Sequence, residues 1–169
     1  MKEYESLISR YRNKGALVDS NLLLLYFIGK YEKNLITVHK RTKKYTIKDF
    51  EIVERIFHLF SKIVTTPNIL TEVSNLSGQS GSLKKIKDKY FEHFKNQIET
   101  LDENYIQSRN ACQVNYFASL GLTDTAILLA AKDNYLVFTD DLDFYGTLIK
   151  ADIDAINFTY ISALNLFST

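Results

Sequence analysis

Carboxylates interrupt the apolar stretches of this sequence at positions where a buried side chain would be expected. Asp19 separates the apolar residues 16–18 from the apolar run 22–28, and Asp141 follows the apolar segment 135–138. A buried carboxylate without a partner costs several kcal/mol of folding free energy. Each of these side chains must therefore be neutralised, be paired with another group or bind a cation.

Two further acids lie on the inward side of predicted helices. Glu72 stands at the border of one apolar stripe, and Asp124 stands at the N-terminal tip of another. The first stripe consists of Ile69, Val73 and Leu76, and the second consists of Ile127, Leu128 and Ala131. An acid on the outer face would interact with the helix dipole equally well. The inward position of Asp124 therefore needs a further reason.

Short apolar strands alternate with helices along the chain. We predict strands at residues 16–18, 62–65, 135–138 and 156–161, and further helices at 3–13, 47–60, 82–98 and within 101–118. This alternation predicts a mostly parallel sheet covered by helices on both faces. Functional groups of such sheets collect beyond the carboxyl ends of the strands. We therefore expect the four carboxylates to converge at one edge of the sheet.

Local signals set the expected helix ends. Ser20 or Asn21 is the expected N-cap of the first helix after a strand, and Gly29 is its expected end. Thr46 is expected to cap the helix over residues 47–60, and Thr123 is expected to begin the helix that contains Asp124. These signals are short-range, so they predict boundaries and not packing.

Four carboxylates at close range cannot all remain ionised without a cation. The chain has one cysteine and three histidines, so a Cys/His zinc cluster is not credible. Carboxylate oxygens favour Mg²⁺ or Mn²⁺ instead. Such clusters commonly hold ions that activate water for attack on a phosphodiester.

Composition and charge narrow the classes of protein to which this chain could belong. The net charge is +1, so the chain as a whole has no basic signal for nucleic acid. The longest apolar run, 22–28, is too short to cross a bilayer, and we expect no membrane partner. A single cysteine fits a reducing, cytoplasmic location. Cys112 is expected to be a buried structural thiol.

Four motifs in this order resemble the pattern of the PIN-domain family of metal-dependent ribonucleases, which includes VapC-type toxins. The motifs are Leu-Val-Asp19-Ser-Asn21, Thr-Pro-Asn-Ile-Leu-Thr-Glu72, Gly-Leu-Thr-Asp124-Thr-Ala and Val-Phe-Thr139-Asp-Asp141-Leu-Asp-Phe. Each motif alone is weak, and the resemblance depends on their joint occurrence over residues 15–160. Taken singly, Asp19 is equally well explained as a helix cap. A solvated boundary residue is the better explanation of Glu72 alone, a first-turn acid is the slightly better explanation of Asp124 alone, and an acidic helix start is a common alternative for Asp141.

The resemblance implies an α/β, three-layer PIN-like fold with helical insertions. Its central sheet would be mostly parallel, with about four or five short strands flanked by helices. Residues 1–169 would form a single domain. Its core elements would be residues 15–29, 62–77 and 120–161, with insertions at 30–61 and 78–119.

The resemblance also assigns roles to residues. The expected catalytic residues, which are also the ligands of Mg²⁺ or Mn²⁺ directly or through water, are Asp19, Glu72, Asp124 and Asp141. Asp143 is a further candidate ligand. Asn21 and Thr139 are expected to hold the carboxylates in place. The family's Thr-x-Asp spacing selects Asp141 for the site, which leaves Asp140 for helix capping or solvent.

The activity implied by this resemblance is a Mg²⁺/Mn²⁺-dependent endoribonuclease with an RNA substrate. It also implies the toxin role of a toxin–antitoxin pair, a protein antitoxin as candidate partner, and a candidate homodimer. The basic segment 30–48 provides the expected contacts to the RNA backbone, which are Lys40, Arg41, Lys43 and Lys44. Tyr31 or Tyr45 would stack on bases. A solvated connection between helices explains this segment equally well.

Three alternatives remain open at this stage. A non-catalytic binding or regulatory module would keep the acids without the activity. A structure-specific DNA nuclease would use the same metal chemistry. A phosphatase of the haloacid dehalogenase type is disfavoured, because that chemistry needs an aspartate two residues after Asp19, where this chain has Asn21.

Overall fold

A parallel five-stranded sheet forms the centre of the computed structural model, which describes residues 2–78, 86–132 and 134–163. The strands are β1 (Ala16–Val18), β2 (Ile63–Thr65), β3 (Asp102–Glu103), β4 (Leu136–Thr139) and β5 (Ala155–Asn157). They lie in the order β3-β2-β1-β4-β5, and every neighbouring pair is parallel. The predicted parallel sheet is therefore confirmed.

Helices connect and flank these strands. They are α1 (Lys2–Tyr11), α2 (Ser20–Tyr31), α3 (Ile47–Leu59), α4 (Pro67–Gly78), α5 (Lys87–Ile98), α6 (Ser108–Ala111), α7 (Phe117–Ala131), α8 (Leu142–Lys150) and α9 (Phe158–Ala163). A short 3-10 turn covers Lys33–Leu35. The arrangement is α/β and agrees with the three-layer PIN-like fold expected from the sequence. No helix in the described part of the chain has the length and apolar character needed to span a bilayer.

The core is built around β1 and α2. Strand β1 is fully buried at the middle of the sheet, and β2, β4 and β5 are also buried along their whole lengths. Helix α2 is apolar on nearly all sides and packs against α3, α4 and α5. A helix of this kind belongs in a core. The junction between β1 and α2, where Asp19 lies, is therefore at the centre of the molecule.

Two local predictions for α2 are wrong. Its N-cap is Asp19, whose carboxylate accepts a hydrogen bond from the backbone N–H of Leu22, and not Ser20 or Asn21. Gly29 does not end the helix, which continues to Tyr31. A Cβ atom at Gly29 would lie 2.2 Å from a ring carbon of Phe50 on α3. The glycine therefore allows close packing of two helices.

Other boundaries also differ from the sequence predictions. The last strand ends at Asn157, whose side chain accepts a hydrogen bond from the backbone N–H of Thr159 and starts a helix instead. Helix α7 begins at Phe117 and kinks at Gly121, where φ is 75°. The segment 101–118 contains the edge strand β3 as well as helices. Cys112 is exposed, so its predicted burial is wrong.

Local sequence signals predicted the start of some helices correctly. Thr46 caps α3 in a capping box with Asp49, as predicted. Pro67 begins α4, as predicted. The first residues of the helix predicted over 82–98 lie outside the described residues, and the rest forms α5.

Gly29→Ala should destabilise the protein by about 2 kcal/mol, because the added methyl group overlaps the Phe50 ring and forces repacking. Gly146→Ala, in α8, is the matched control, since a Cβ there meets no atom within 4 Å. That variant should gain about 0.5–1 kcal/mol from improved helix propensity. Urea denaturation measures both changes, and equal effects at the two sites would contradict the packing role of Gly29.

Candidate active site

The predicted site residues approach one edge of the sheet. The strands are parallel, so their carboxyl ends share this edge, and Asp19 follows β1 as Asp141 follows β4. Glu72 lies on α4, which begins two residues after β2. Asp124 lies on α7, which packs against both α4 and α8. The fold therefore brings all four acids to the same region.

Asp19 is buried and fully hydrogen bonded. The Asp19 residue is 5% exposed to solvent. Its Oδ1 accepts from the backbone N–H of Leu22 at 2.8 Å, and its Oδ2 accepts from the Thr139 hydroxyl at 2.5 Å and from the Asp140 N–H at 3.1 Å. Burial and the neighbouring Asp140 charge raise the pKa of Asp19 to about 7, although these three hydrogen bonds lower it. The surroundings of Asp19 therefore disfavour its charged form.

Thr139 links two of the predicted site residues. Its buried hydroxyl donates to Asp19 and accepts a hydrogen bond from the backbone N–H of Asp141 at 3.0 Å. This arrangement orients the hydroxyl proton toward Asp19. The end of β4 is thereby fixed against the end of β1, as expected of a residue that holds carboxylates in place.

A second group of carboxylates surrounds Asp124. Burial raises the pKa of Asp124 to about 7, and the charges of Glu72 and Asp141 add to the increase. Within the described ranges, neither a hydrogen bond nor an ion pair reaches the Asp124 carboxylate. The charges of Glu72 and Asp141 therefore repel Asp124, and no cation among the described residues pairs with it.

The two neighbours of Asp124 are themselves held in place. Glu72 Oε2 accepts a hydrogen bond from the Ser20 hydroxyl at 2.9 Å. Asp141 is the N-cap of α8, and its Oδ1 accepts from the backbone N–H groups of Asp143 and Phe144 at 2.9 Å. Residues at the start of α2 and α8 therefore fix the two carboxylates that repel Asp124.

Asp140 has a larger role than the sequence suggested, and its assignment to capping or solvent is wrong. Its side chain is 8% exposed and forms an ion pair with Lys44. Its Oδ2 accepts from the Tyr45 hydroxyl at 2.5 Å, and its Oδ1 accepts from the Asn21 amide at 3.0 Å. Asn21 therefore holds Asp140 and not one of the four predicted ligands. Sequence reasoning missed this contact because Tyr45 and Asp140 are 95 residues apart.

The basic segment contributes one cation directly to this site. Lys44 lies beside Asp140 and borders a groove of about 430 Å³ with Asp141 and Asp143. Lys40, Arg41 and Lys43 are exposed. Neither predicted stacking tyrosine offers an open ring. Tyr45 is 7% exposed, and Tyr31 packs edge-on against Tyr90 and His93.

The fit of a divalent cation depends on donor chemistry and on spacing. In residues 2–78, 86–132 and 134–163, no three Asp, Glu, His or Cys side chains lie close enough together to hold a metal ion. The four predicted ligands instead fall into two neighbouring groups: Asp19 interacts with Asp140, which was not a predicted ligand, and Asp124 interacts with Glu72 and Asp141. Mg²⁺ usually binds through one or two carboxylates and retains several waters. The donors are oxygen atoms of the kind that Mg²⁺ and Mn²⁺ prefer, but at the spacing of the described residues no more than two of them could bind one ion directly, with water as the remaining ligands.

No family model and no curated protein matches this chain. The assignment of chemistry to this edge of the sheet therefore depends on the geometry and electrostatics of its own residues. The most informative feature is the repulsion around Asp124, because repulsion has a measurable effect on stability.

Asp124→Asn should make the metal-free protein more stable at alkaline pH. The folded chain keeps a proton on this carboxyl up to a pKa of about 7, whereas its ordinary value is 3.8, so stability is lost as the pH rises between these values. At about pH 8 we expect a gain of about 2 kcal/mol in the variant, less than the full shift implies because the group is partly exposed. At about pH 4 the gain should disappear.

Urea denaturation in EDTA at both pH values measures this difference. Glu92→Gln is the matched control, since Glu92 is exposed on α5, away from the carboxylates. An Asp124→Asn variant that is less stable than the wild type at alkaline pH would contradict the repulsion at this site.

Proposed function

We propose that this protein is a Mg²⁺- or Mn²⁺-dependent endoribonuclease. The observation that supports this function most directly is the Asp124 carboxylate, whose pKa is raised by burial and by the flanking charges of Glu72 and Asp141. Carboxylates held in mutual repulsion at the carboxyl edge of a parallel sheet favour the binding of a hard cation. Asp19, itself buried and held by Thr139, lies beside this group.

A bound divalent cation would supply a water of lowered pKa and would neutralise charge at a phosphodiester during in-line displacement. The chain's own residues have separate tasks. Asp124, Glu72 and Asp141 provide oxygen donors. The Ser20 hydroxyl holds Glu72, and the first backbone N–H groups of α8 hold Asp141, before any ligand arrives. Thr139 keeps Asp19 oriented toward the same region. Such preorganisation lowers the cost of assembling the site.

Lys44 is the described cation best placed to contact the RNA backbone. Its side chain is 54% exposed although it pairs with Asp140, so part of the ammonium group faces solvent at the groove beside Asp141. A lysine that is paired on one side still has donors for a phosphate oxygen. The exposed Lys40, Arg41 and Lys43 extend this basic surface.

Asp19→Asn and Asp124→Asn should each reduce Mn²⁺-dependent RNA cleavage by about a hundredfold or more, because each removes a charged oxygen donor from the site. Cleavage of a labelled single-stranded RNA measures the rate, and EDTA should abolish it. Glu92→Gln is again the control and should retain full activity. Full activity in both aspartate variants would contradict the site assignment. Cleavage of single-stranded or flap DNA, with RNA left intact, would favour the DNA nuclease.

A non-catalytic binding module is the second candidate. Two observations favour it: within the described ranges no three potential ligands converge at metal distance, and Lys44 already neutralises Asp140. The toxin role, the antitoxin, the homodimer and the cytoplasmic location stay predictions from the sequence.

Calorimetric titration with Mn²⁺ separates the two candidates. The nuclease should bind Mn²⁺, and Asp124→Asn should weaken that binding at least about tenfold through loss of one charged donor. The Asp124→Asn variant is suitable for this comparison because its fold is expected to be at least as stable as the wild type at neutral pH. A wild-type protein that binds no Mn²⁺ would support the non-catalytic module.

A further inference from the structure

A second groove opens beside the carboxylates and takes no part in the chemistry described above. It has a volume of about 490 Å³ and lies between α4, the segment after β3 and the kinked part of α7. Its walls include Asn68 and Asn75 from α4, Tyr105 from the segment after β3, and Leu122 from α7. Glu72 borders this groove as well, so it is continuous with the candidate active site.

The sheet order places this groove next to the site. Tyr105 follows β3 by two residues, and α4 follows β2, so the groove lies beyond the carboxyl ends of β3 and β2. Strand β1, which directly precedes Asp19, is the next strand in the sheet. Thr123 lines the groove and directly precedes Asp124. A polymer lying along this edge would therefore meet the carboxylates and the groove in succession.

The lining of the groove suits a flat, uncharged group that forms hydrogen bonds. Glu72, at its border with the carboxylates, is the one charged residue among its described walls. Asn68 and Asn75 present amides, which donate and accept hydrogen bonds. The Tyr105 side chain is 72% exposed, and Leu122 is 37% exposed. A side-chain phosphate site commonly uses cations, which the described walls do not provide, whereas an aromatic face with amide partners is a common arrangement for a nucleobase.

We propose that this groove binds one unpaired nucleobase of a single-stranded nucleic acid whose backbone passes the carboxylates. Tyr105 stacks on the base, and Asn68 and Asn75 contact its edge. The inference rests on the proposed function for the choice of polymer, but the base-binding groove is tested without any cleavage. It also gives the exposed Tyr105 ring a role that neither Tyr31 nor Tyr45 has the exposure to fill.

The test uses adenosine as the probe, with the full-length protein in EDTA. Adenosine is uncharged, so its binding requires neither a metal ion nor a phosphate contact. In a ¹⁵N-labelled sample, we expect millimolar adenosine to shift the side-chain amide signals of Asn68 and Asn75. D-ribose, which has no base, should leave these signals unchanged. Absence of an adenosine shift, or an equal shift with ribose, would overturn the proposal.

Variants assign the binding to the stacking ring. Tyr105→Ala should weaken adenosine binding about tenfold through loss of base stacking, and Tyr105→Phe should retain it. Tyr160→Ala is the matched control, because Tyr160 is also exposed, at 45%, but its ring packs beside Tyr145. Unchanged affinity in Tyr105→Ala would overturn the stacking role. Adenosine binding without metal-dependent cleavage would reject the nuclease and keep the groove, and the reverse result would reject the groove alone.

Discussion

The burial of the Asp19 carboxylate is the constraint on which the rest of this site depends. Its oxygens are satisfied by donors from two separate parts of the chain: the backbone of Leu22 in α2, and the Thr139 hydroxyl with the Asp140 N–H after β4. Loss of the Leu22 donor would leave Oδ1 without a described partner, at a cost of about 1–3 kcal/mol, whereas Oδ2 has two donors. These hydrogen bonds therefore hold the ends of β1 and β4 together, and they also fix the position of Asp141.

Charge is distributed unevenly along this edge of the sheet. On one side, Lys44 and Tyr45 hold Asp140, although the charge of Asp140 still raises the pKa of Asp19. On the other side, Asp124 meets further carboxylates without a described cation. Protonation relieves this repulsion at low pH, and a bound cation would relieve it at neutral pH. Both Asp19 and Asp124 therefore have raised pKa values, but among the described residues of this edge a cation pairs with a carboxylate only on the Asp19 side.

Much of the fold could be predicted from the sequence because its signals are local. The apolar segment before Asp19 and the Thr46 cap required only neighbouring residues, and the strand alternation placed the acids at one edge. Gly29 and Asp140 could not be predicted, because their roles depend on Phe50 and Tyr45, which are far away in the sequence. For the same reason the sequence predicted which acids gather but not that they divide into two groups.

A net charge of +1 does not argue against a polyanionic substrate, because the distribution of charge along this edge matters more than its sum. Lys44 lies at the β4 side of the carboxylates, and the neutral groove with Tyr105 lies at the β2–β3 side. A single-stranded nucleic acid bound along this edge of the sheet would place a phosphate near Lys44 and a base near Tyr105. In the proposed nuclease, the backbone between these two contacts would lie against Asp124.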